Sequence, residues 1–322
     1  MTNKKIQYKT KNKNKPKKLK EILEGQLTKK EMGFLTSSFD TVGSIAIIEI
    51  VPELRHKEKL IGDSIIGMHK QITTVCRRDG NHSGVFRTQK LKIVAGKKTK
   101  ETTHMESRCK LSLDVENCYF SVRSSSERLR IAKLIDDKVK KSNKKEDVLV
   151  MFSGIAPFVC VLAKNAKESI NNIIGIELNP IAHKYAEKNI LQNKLKNASA
   201  INGDVRKIVP TLKNKKTSLI NTLYIKFLAL FNKGNNIQKF DRIIMPLPRS
   251  AEEFLDTALI VAKKGTWIHL YGFLSEDEFD KYKQKIIDIS SKMGHKVNIH
   301  GIVKCGQFSP RLYRICVDFK IL

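Results

Sequence analysis

Through the C-terminal half of the chain, short continuous apolar runs alternate with stretches whose apolar residues return every third or fourth position. The first run, Val148 to Phe152, has no polar interruption, as expected of a parallel strand covered on both faces. Ser153-Gly154 breaks it, Pro157 suits the first turn of a helix over Phe158 to Lys167, and a second strand, Ile173 to Ile176, delivers Glu177 at its carboxyl end. Asn179-Pro180 starts the next helix, with Ala182, Tyr185, Ala186 and Ile190 on one face. Then come a strand ending at Asp204, a strand over Phe240 to Pro248, a helix over Ala251 to Lys263, a strand in GTWIHLYGF, a helix over Asp277 to Met293, and paired strands at Val297 to Lys304 and Arg314 to Ile321. This alternation predicts a doubly wound, Rossmann-like α/β domain over residues 146–322.

The N-terminal third reads differently. SIAIIEIV is a strand, Leu60 to His69 has helical spacing, and TTVCRRDG, FRTQKLKIVAG, THMESRCKLSLDV and CYFSVR look like further strands around short turns. They predict a small α+β module over 34–122 with outward Arg and Lys. A helix over Glu127 to Lys141, capped from the run Ser124-Ser125-Ser126, is expected to connect the two parts across 123–145. Residues 1–33 read as a basic flexible arm, because the first thirty residues carry eleven lysines against Glu21 and Glu24. Residues 213–239 have polar ends around the apolar LINTLYIKFLALF and read as an inserted, docked helix.

Charge adds a partner to this picture. Sixty-one Lys and Arg against 32 Asp and Glu leave +29, a field that attracts a polyanion, of which nucleic acid is the commonest. A lysine-rich proteome would produce the same excess without meaning. The six cysteines are scattered, with no CxxC and no Cys/His cluster at metal spacing, so a reducing cytoplasm and no metal are expected. No apolar run reaches the length of a membrane span, and the N-terminus lacks the apolar core of a signal peptide.

The strand-turn-helix-strand unit ending on Glu177 is where the chemistry is expected. In an open α/β sheet the crevice at the carboxyl ends of the strands holds a nucleotide-like ligand, and an acid there can accept from both ribose hydroxyls. GIAPF has one glycine where GxGxxG needs three, so a pyrophosphate cradle is not expected. S-adenosyl-L-methionine, which has adenosine but no phosphate, fits such a turn. An ordinary βαβ unit with an acid-ended strand remains open on these residues alone.

A longer set of segments narrows the choice: FDTVGSIAIIEI, HKQITTVCRRDGNHSGVFRTQKLKIVAG, THMESRCKLSLDVENCYFSVRSSSERLRIAKLI, MFSGIAPF, GIELNP followed by EKNILQNKL, NGDVR, DRIIMPLP and SPRLYRICVDFKIL. In this order, from Phe39 to Leu322, they resemble the archaeal and eukaryotic tRNA (guanine37-N1)-methyltransferases. The resemblance implies a class I S-adenosylmethionine-dependent methyltransferase fold behind a tRNA-orienting module, acting on position 37 of the anticodon stem-loop. It implies Glu127 as general base and Arg87 as the cation that stabilises the deprotonating guanine. To the cofactor site it assigns Tyr119, Arg123, Phe152, Ser153, Gly154, Glu177, Leu178, Asn179, Asp204, Val205, Pro246 and Pro248. RNA contacts are expected from the lysine arm and from Arg77, Arg78 and Arg108. A cytoplasmic monomer is the expected form.

The proposed roles suit the chemistry. Guanine N1 is a poor nucleophile until its proton leaves, so a carboxylate in reach helps, and a guanidinium can stabilise the charge that builds on O6. Three positions depart from the family pattern. Val150 replaces an acid, Ala156 replaces a glycine, and Pro246 replaces the asparagine of an MNLP-like loop. MFSGIAP with MPLP is similar to the wyosine-pathway branch, some members of which also methylate C7 of 4-demethylwyosine to give isowyosine. Two other readings compete: the related aminocarboxypropyl transferase of that pathway, and a nonenzymatic RNA-binding protein.

Overall fold

Leucines at 19, 23 and 27 start the folded chain. The computed structural model describes residues 18–212, 237–247 and 249–322, and these fall into two compact units, one holding residues up to 79 with 91–99, the other holding 80–90 with 100–322. The arm expected over 1–33 is therefore corrected for its described part. Helices α1 (Leu19–Leu23) and α2 (Lys29–Phe34) form there, and Leu19, Leu23, Leu27 and Leu35 are buried in the core of the smaller unit. Each buried leucine is worth about 1.5–3 kcal/mol, enough to fold a lysine-rich segment whose charges stay in water. Thr28 caps α2: its hydroxyl accepts from the Glu31 amide at 3.2 Å, and the Glu31 carboxylate accepts from the Thr28 amide at 2.7 Å.

In the same unit, β1 (Phe39–Val42) pairs antiparallel with β2 (Ile45–Ile48), which runs through helix α3 (Glu58–Met68) to the parallel strand β3 (Thr74–Arg78), and β4 (Leu91–Gly96) closes the sheet antiparallel to β3. Ile61 and Ile65 of α3 pack on Ala46, Ile48, Val75 and Ala95. Gly96 has φ +82°, and a Cβ there would lie 2.1 Å from the Thr73 carbonyl oxygen. Gly96→Ala is therefore expected to destabilise the protein by about 3 kcal/mol or more, since neither the backbone angle nor the carbonyl can give way cheaply. Urea unfolding of the two proteins measures it.

The larger unit begins with the loop 80–90 and the hairpin β5 (Glu101–Glu106) and β6 (Cys109–Asp114). A boundary at 122 was expected, yet this hairpin belongs with the α/β unit, for a reason visible in its hydrogen bonds. Two asparagines of helix α6 (Pro180–Gln192) and its C-cap act as a surrogate strand. Asn189 accepts from the Ser112 amide at 2.7 Å and donates to the Ser112 carbonyl at 3.0 Å, and Asn193 repeats the pattern on Lys110 at 2.8 and 2.7 Å. CYFSVR, expected as a strand, is instead a loop and a 3-10 turn at Val122–Ser124 that runs directly into helix α4 (Ser125–Ser142). Ser124 stands at the N-cap without a side-chain cap bond; its hydroxyl accepts from Arg314 at 2.6 Å. Helix α4 is no linker: Ile131, Ala132 and Ile135 are buried within the unit.

Seven strands make the sheet: β7 (Glu146–Met151), β8 (Ile170–Glu177), β9 (Ala198–Asn202), β10 (Arg242–Met245), β11 (Trp267–Leu274), β12 (Val297–Ser309) and β13 (Leu312–Ile321), in the order β12-β13-β11-β10-β7-β8-β9. Strand β13 alone is reversed. Helices α5 (Pro157–Asn165), α6, α7 (Val205–Ile208), α8 (Leu255–Ile260) and α9 (Phe279–Lys292) make the connections among the described residues. The order turns back between β7 and β10, the switch point at which an open sheet leaves a ligand crevice. Most of the expected insert, 213–236, lies outside the described residues, as does Pro248.

Candidate active site

The turn after β7 takes its shape from three left-handed residues, Phe152 (φ +55°), Gly154 (φ +56°) and Ala156 (φ +64°). Ala156, where a glycine was the expected pattern, keeps that conformation as an alanine, at a cost of about 1–2 kcal/mol. The Ser153 amide donates to the Ile176 carbonyl at 2.8 Å, which anchors the turn to the end of β8. Glu177 completes the closure: one carboxylate oxygen accepts from the Gly154 amide at 2.6 Å, the other from the Asn179 amide at 2.8 Å. Burial raises the Glu177 carboxyl above its ordinary range, against the pull of these backbone donors. Asn179 caps α6 through its side-chain oxygen, and Pro180 occupies the first helical position.

Glycine 175 lies beneath this turn. A Cβ there would fall 2.8 Å from Ser153 Oγ and 3.0 Å from Val159. The Ser153 hydroxyl is buried yet has no hydrogen-bond partner, an unsatisfied group at the mouth of the switch point. At the end of the next strand, Asp204 caps α7 by accepting from the Arg206 amide at 2.9 Å, with Val205 buried behind it and Leu178 exposed nearby in sequence to Glu177. Strand-end acids, a turn without cationic side chains and an orphan hydroxyl fit a nucleoside cofactor without phosphates. Glu177 and Asp204 would hold its adenosine end.

Beside the turn, a cleft of about 60 Å³ is lined by Tyr119, Phe152, Ser153, Gly154, Pro246 and Tyr271, with Arg128 and Arg314 on its wall. Five expected site residues thus meet in one place. Arg123, also expected there, is exposed on the 3-10 turn. Glu127 is buried and does not line the cleft; it accepts a hydrogen bond from the Tyr271 hydroxyl at 2.7 Å, and Tyr271 does line it. Arg87 sits on the neighbouring loop 80–90 with φ +52°, donating to the Arg249 carbonyl at 2.6 Å. On the same loop His82 packs edge-on to Tyr119 at 5.4 Å. Tyr271, Arg128 and Arg314 carried no expected role. Arg314 lay in a segment already singled out, SPRLYRICVDF, but nothing local distinguishes it from a surface charge.

The expected RNA-contact arginines divide. Arg77 is buried, donating to Glu58 at 3.1 Å and to Asp79 at 2.8 Å, so its expected outward position is corrected: β3 points it inward, where two carboxylates satisfy it. Arg78 pairs with Asp40 at 2.6 Å. Arg108 is exposed at the β5–β6 turn, bonded to Asn165 at 2.9 Å.

With this geometry in place, comparison with known proteins decides the family. The model of the TRM5/TYW2 methyltransferase domain matches residues 102–233 and 231–299, and that of the TYW2 N-terminal domain matches 19–99. The chain belongs to the TRM5/TYW2 family. The tRNA (guanine(37)-N(1))-methyltransferase Trm5b of Pyrococcus abyssi is 36% identical over 289 residues, 89% of this chain and 76% of that protein. The tRNA (guanine(37)-N(1))/4-demethylwyosine(37)-methyltransferase Taw22 of Nanoarchaeum equitans is 32% identical over 313 residues, 88% of this chain and all of that protein. Among solved structures, the complex of aTrm5 with tRNALeu aligns with a TM-score of 0.74 at 28% identity, covering 96% of this chain and 79% of that one. The TYW2 N-terminal match coincides closely with the smaller compact unit.

In this TRM5/TYW2 chain Glu127 is the first member of a largely buried polar chain, of which Arg130 is the half-buried member. Arg130 donates to it from Nε and Nη2 at 2.7 and 2.6 Å and from Nη1 to Asp318 at 2.6 Å. Asp318 accepts from His269 Nδ1 at 2.6 Å, so His269 is the neutral tautomer with Nε2 free to accept from Arg242 at 2.6 Å, and Arg242 pairs with Glu146. Burial and the neighbouring guanidinium keep His269 below its ordinary pKa. His269, Cys316 and Asp318 lie close enough to suggest a metal site, but the two guanidiniums already hold the positions a cation would take. A larger concavity, about 300 Å³, lies at the opposite, amino-terminal edge of the strands, lined by six lysines including Lys138, Lys144 and Lys320.

Two predictions follow from the packing of this TRM5/TYW2 fold. Gly175→Ala pushes Ser153 out of its seat, and its expected effect is a loss of cofactor affinity of about tenfold, with about 1–3 kcal/mol of stability; calorimetric titration and thermal unfolding read the two. Asp318 is held well below the carboxylate range by His269 and Arg130, although burial opposes them. A depressed carboxyl contributes stability that is full above its unfolded pKa and disappears as the pH falls through the folded one. Asp318→Asn is expected to cost about 3 kcal/mol at neutral pH by leaving Arg130 and His269 underpaired. The difference between variant and parent should shrink below about pH 4, which denaturant titrations across pH will measure.

Proposed function

We propose that this protein transfers a methyl group from S-adenosyl-L-methionine to N1 of guanosine-37 in tRNA. The observation that carries the reading is the switch-point cleft itself: a turn without cationic side chains, closed by Glu177, meets a pocket that holds Tyr119, Pro246 and Tyr271, with Glu127 directly behind Tyr271. The names of relatives aligned over most of their length support the same substrate. When bound, the cofactor supplies an electrophilic methyl on its sulfonium. The chain's residues supply the rest. Tyr271 lines the cleft and its hydroxyl donates to Glu127, so the proposed route from a base in the cleft to Glu127 runs through that hydroxyl. Glu127 therefore acts on the N1 proton through that hydroxyl, taking the tyrosine's proton as the oxygen takes the base's, so that no free phenolate forms. Arg130 fixes the Glu127 rotamer from below. Arg87, on the adjoining loop, is the cation for the charge that develops on the base's O6.

The target base has to leave its stack to reach such a recess, since N1 is otherwise closed to an in-line donor. Arg108, the exposed lysines and the smaller unit are the proposed RNA contacts, and the protein is proposed to work as a cytoplasmic monomer. No helix among the described residues is long and apolar enough to cross a membrane. A second activity, methylation of 4-demethylwyosine at C7, is favoured by one feature. Pro246 lines the cleft where an amide side chain was the expected pattern, leaving an apolar wall against which a larger tricyclic base can lie.

Nucleoside mass spectrometry of tRNA incubated with protein and S-adenosylmethionine is expected to show 1-methylguanosine at position 37. Glu127→Gln and Tyr271→Phe should each lower kcat by about 100-fold or more, with cofactor affinity nearly unchanged. An added aminocarboxypropyl mass, or full activity in both variants, would refute the assignment.

A further inference from the structure

The β12–β13 hairpin outruns the rest of the sheet. Strand β11 pairs with β13 only as far as Leu274 opposite Tyr313, while β12 continues to Ser309 opposite Leu312. Between the pairs Gln307–Tyr313 and Ser309–Leu312 the register slips, and Phe308 is the extra residue. A bulge of this kind re-aims a side chain. Phe308 is 55% exposed, an unusual place for a phenyl ring at a bulge. One side of the ring rests on Phe273, centroids 4.6 Å apart at 47°, and the Arg249 guanidinium stands 5.9 Å from its centre.

The surroundings join this ring to the cleft on two sides. Arg314 lies 5.6 Å from the Phe273 ring and forms part of the cleft wall, where its buried Nε has no hydrogen-bond partner. Arg249 gives its carbonyl oxygen to Arg87, whose loop also carries the exposed Phe86. An exposed ring with a guanidinium beside it, on a chain of net charge +29, suits a flat π-face attached to a phosphate chain better than it suits an apolar protein surface. Stacking on an aromatic tolerates any base, and the neighbouring cation meets a phosphate.

We propose that Phe308, with Arg249 beside it, forms a stacking subsite for an unpaired base neighbouring the one that enters the cleft. This rests on the RNA-methylation reading. A base extruded from a loop leaves its neighbours without a stacking partner, and the bulged phenyl ring replaces that partner at the rim.

The test uses the full-length protein and an anticodon stem-loop carrying 2-aminopurine on either side of position 37, with Phe308→Ala, Phe308→Trp and the parent compared. Phe308→Ala is expected to raise the stem-loop dissociation constant by about fivefold or more, to abolish the change in 2-aminopurine fluorescence on binding, and to leave S-adenosylmethionine affinity within about twofold. Phe308→Trp should restore both RNA readouts. Parental RNA affinity and an unchanged fluorescence response in Phe308→Ala would overturn the subsite. Equal losses in RNA and cofactor binding, not rescued by tryptophan, would likewise overturn it by assigning the ring a structural role. The fluorescence reading needs no turnover, so absence of methylation in the parent would fail the functional reading without deciding this one.

Discussion

One carboxylate ties together two loops at the switch point of the larger unit. Glu177 accepts from the Gly154 amide of one loop and the Asn179 amide of the next. Hydrogen bonds to a charged group contribute about 1.5–3 kcal/mol each, which counters only part of the desolvation that raises this carboxyl. The left-handed residues of the 152–156 turn, the absence of a side chain at Gly175 and the cap on α6 all serve this closure. In the proposed function the same carboxylate, at the end of β8, is the acceptor for a ribose diol.

The other half of the site depends on a different interaction. Glu127 is held by Arg130 and Tyr271 in a largely buried chain that continues through Asp318, His269 and Arg242 to Glu146. Isolated, any of these charges would cost several kcal/mol to bury; alternating signs and short hydrogen bonds make the series tolerable. On the proposed mechanism this holds the carboxylate in one orientation, bonded to a phenol whose residue lines the cleft. On the proposed reading two unlike devices serve the switch point: a backbone-donor clamp for the cofactor and a side-chain network for the base.

Much of the first device was legible in the sequence because it is local. The apolar run into Ser153-Gly154, Pro157 at a helix start, and Asn179-Pro180 after an acid-ended strand are chemical signals within a few residues of what they control. The second was only half legible. Arg130 is one helical turn from Glu127, but Tyr271 and Asp318 come from distant strands, and no periodicity announces that they face the same helix. Residues 18–33 were obscured by their lysines, although Leu19, Leu23 and Leu27 supply the apolar side chains that bury the segment in the core. Arg77, expected to face outward for RNA, lies inward because Glu58 and Asp79 provide the charge that holds it there. The β5–β6 hairpin joins the larger unit through asparagine side chains that imitate a strand edge, a pairing that secondary-structure patterns cannot disclose.

The most direct test of the account is calorimetric titration of S-adenosylmethionine into the parent protein and into Glu177→Ala, with circular dichroism confirming that both are folded. The carboxylate clamp predicts saturable binding at one site in the parent and a loss of affinity of about a hundredfold in the variant. Equal affinity in the two proteins would contradict it.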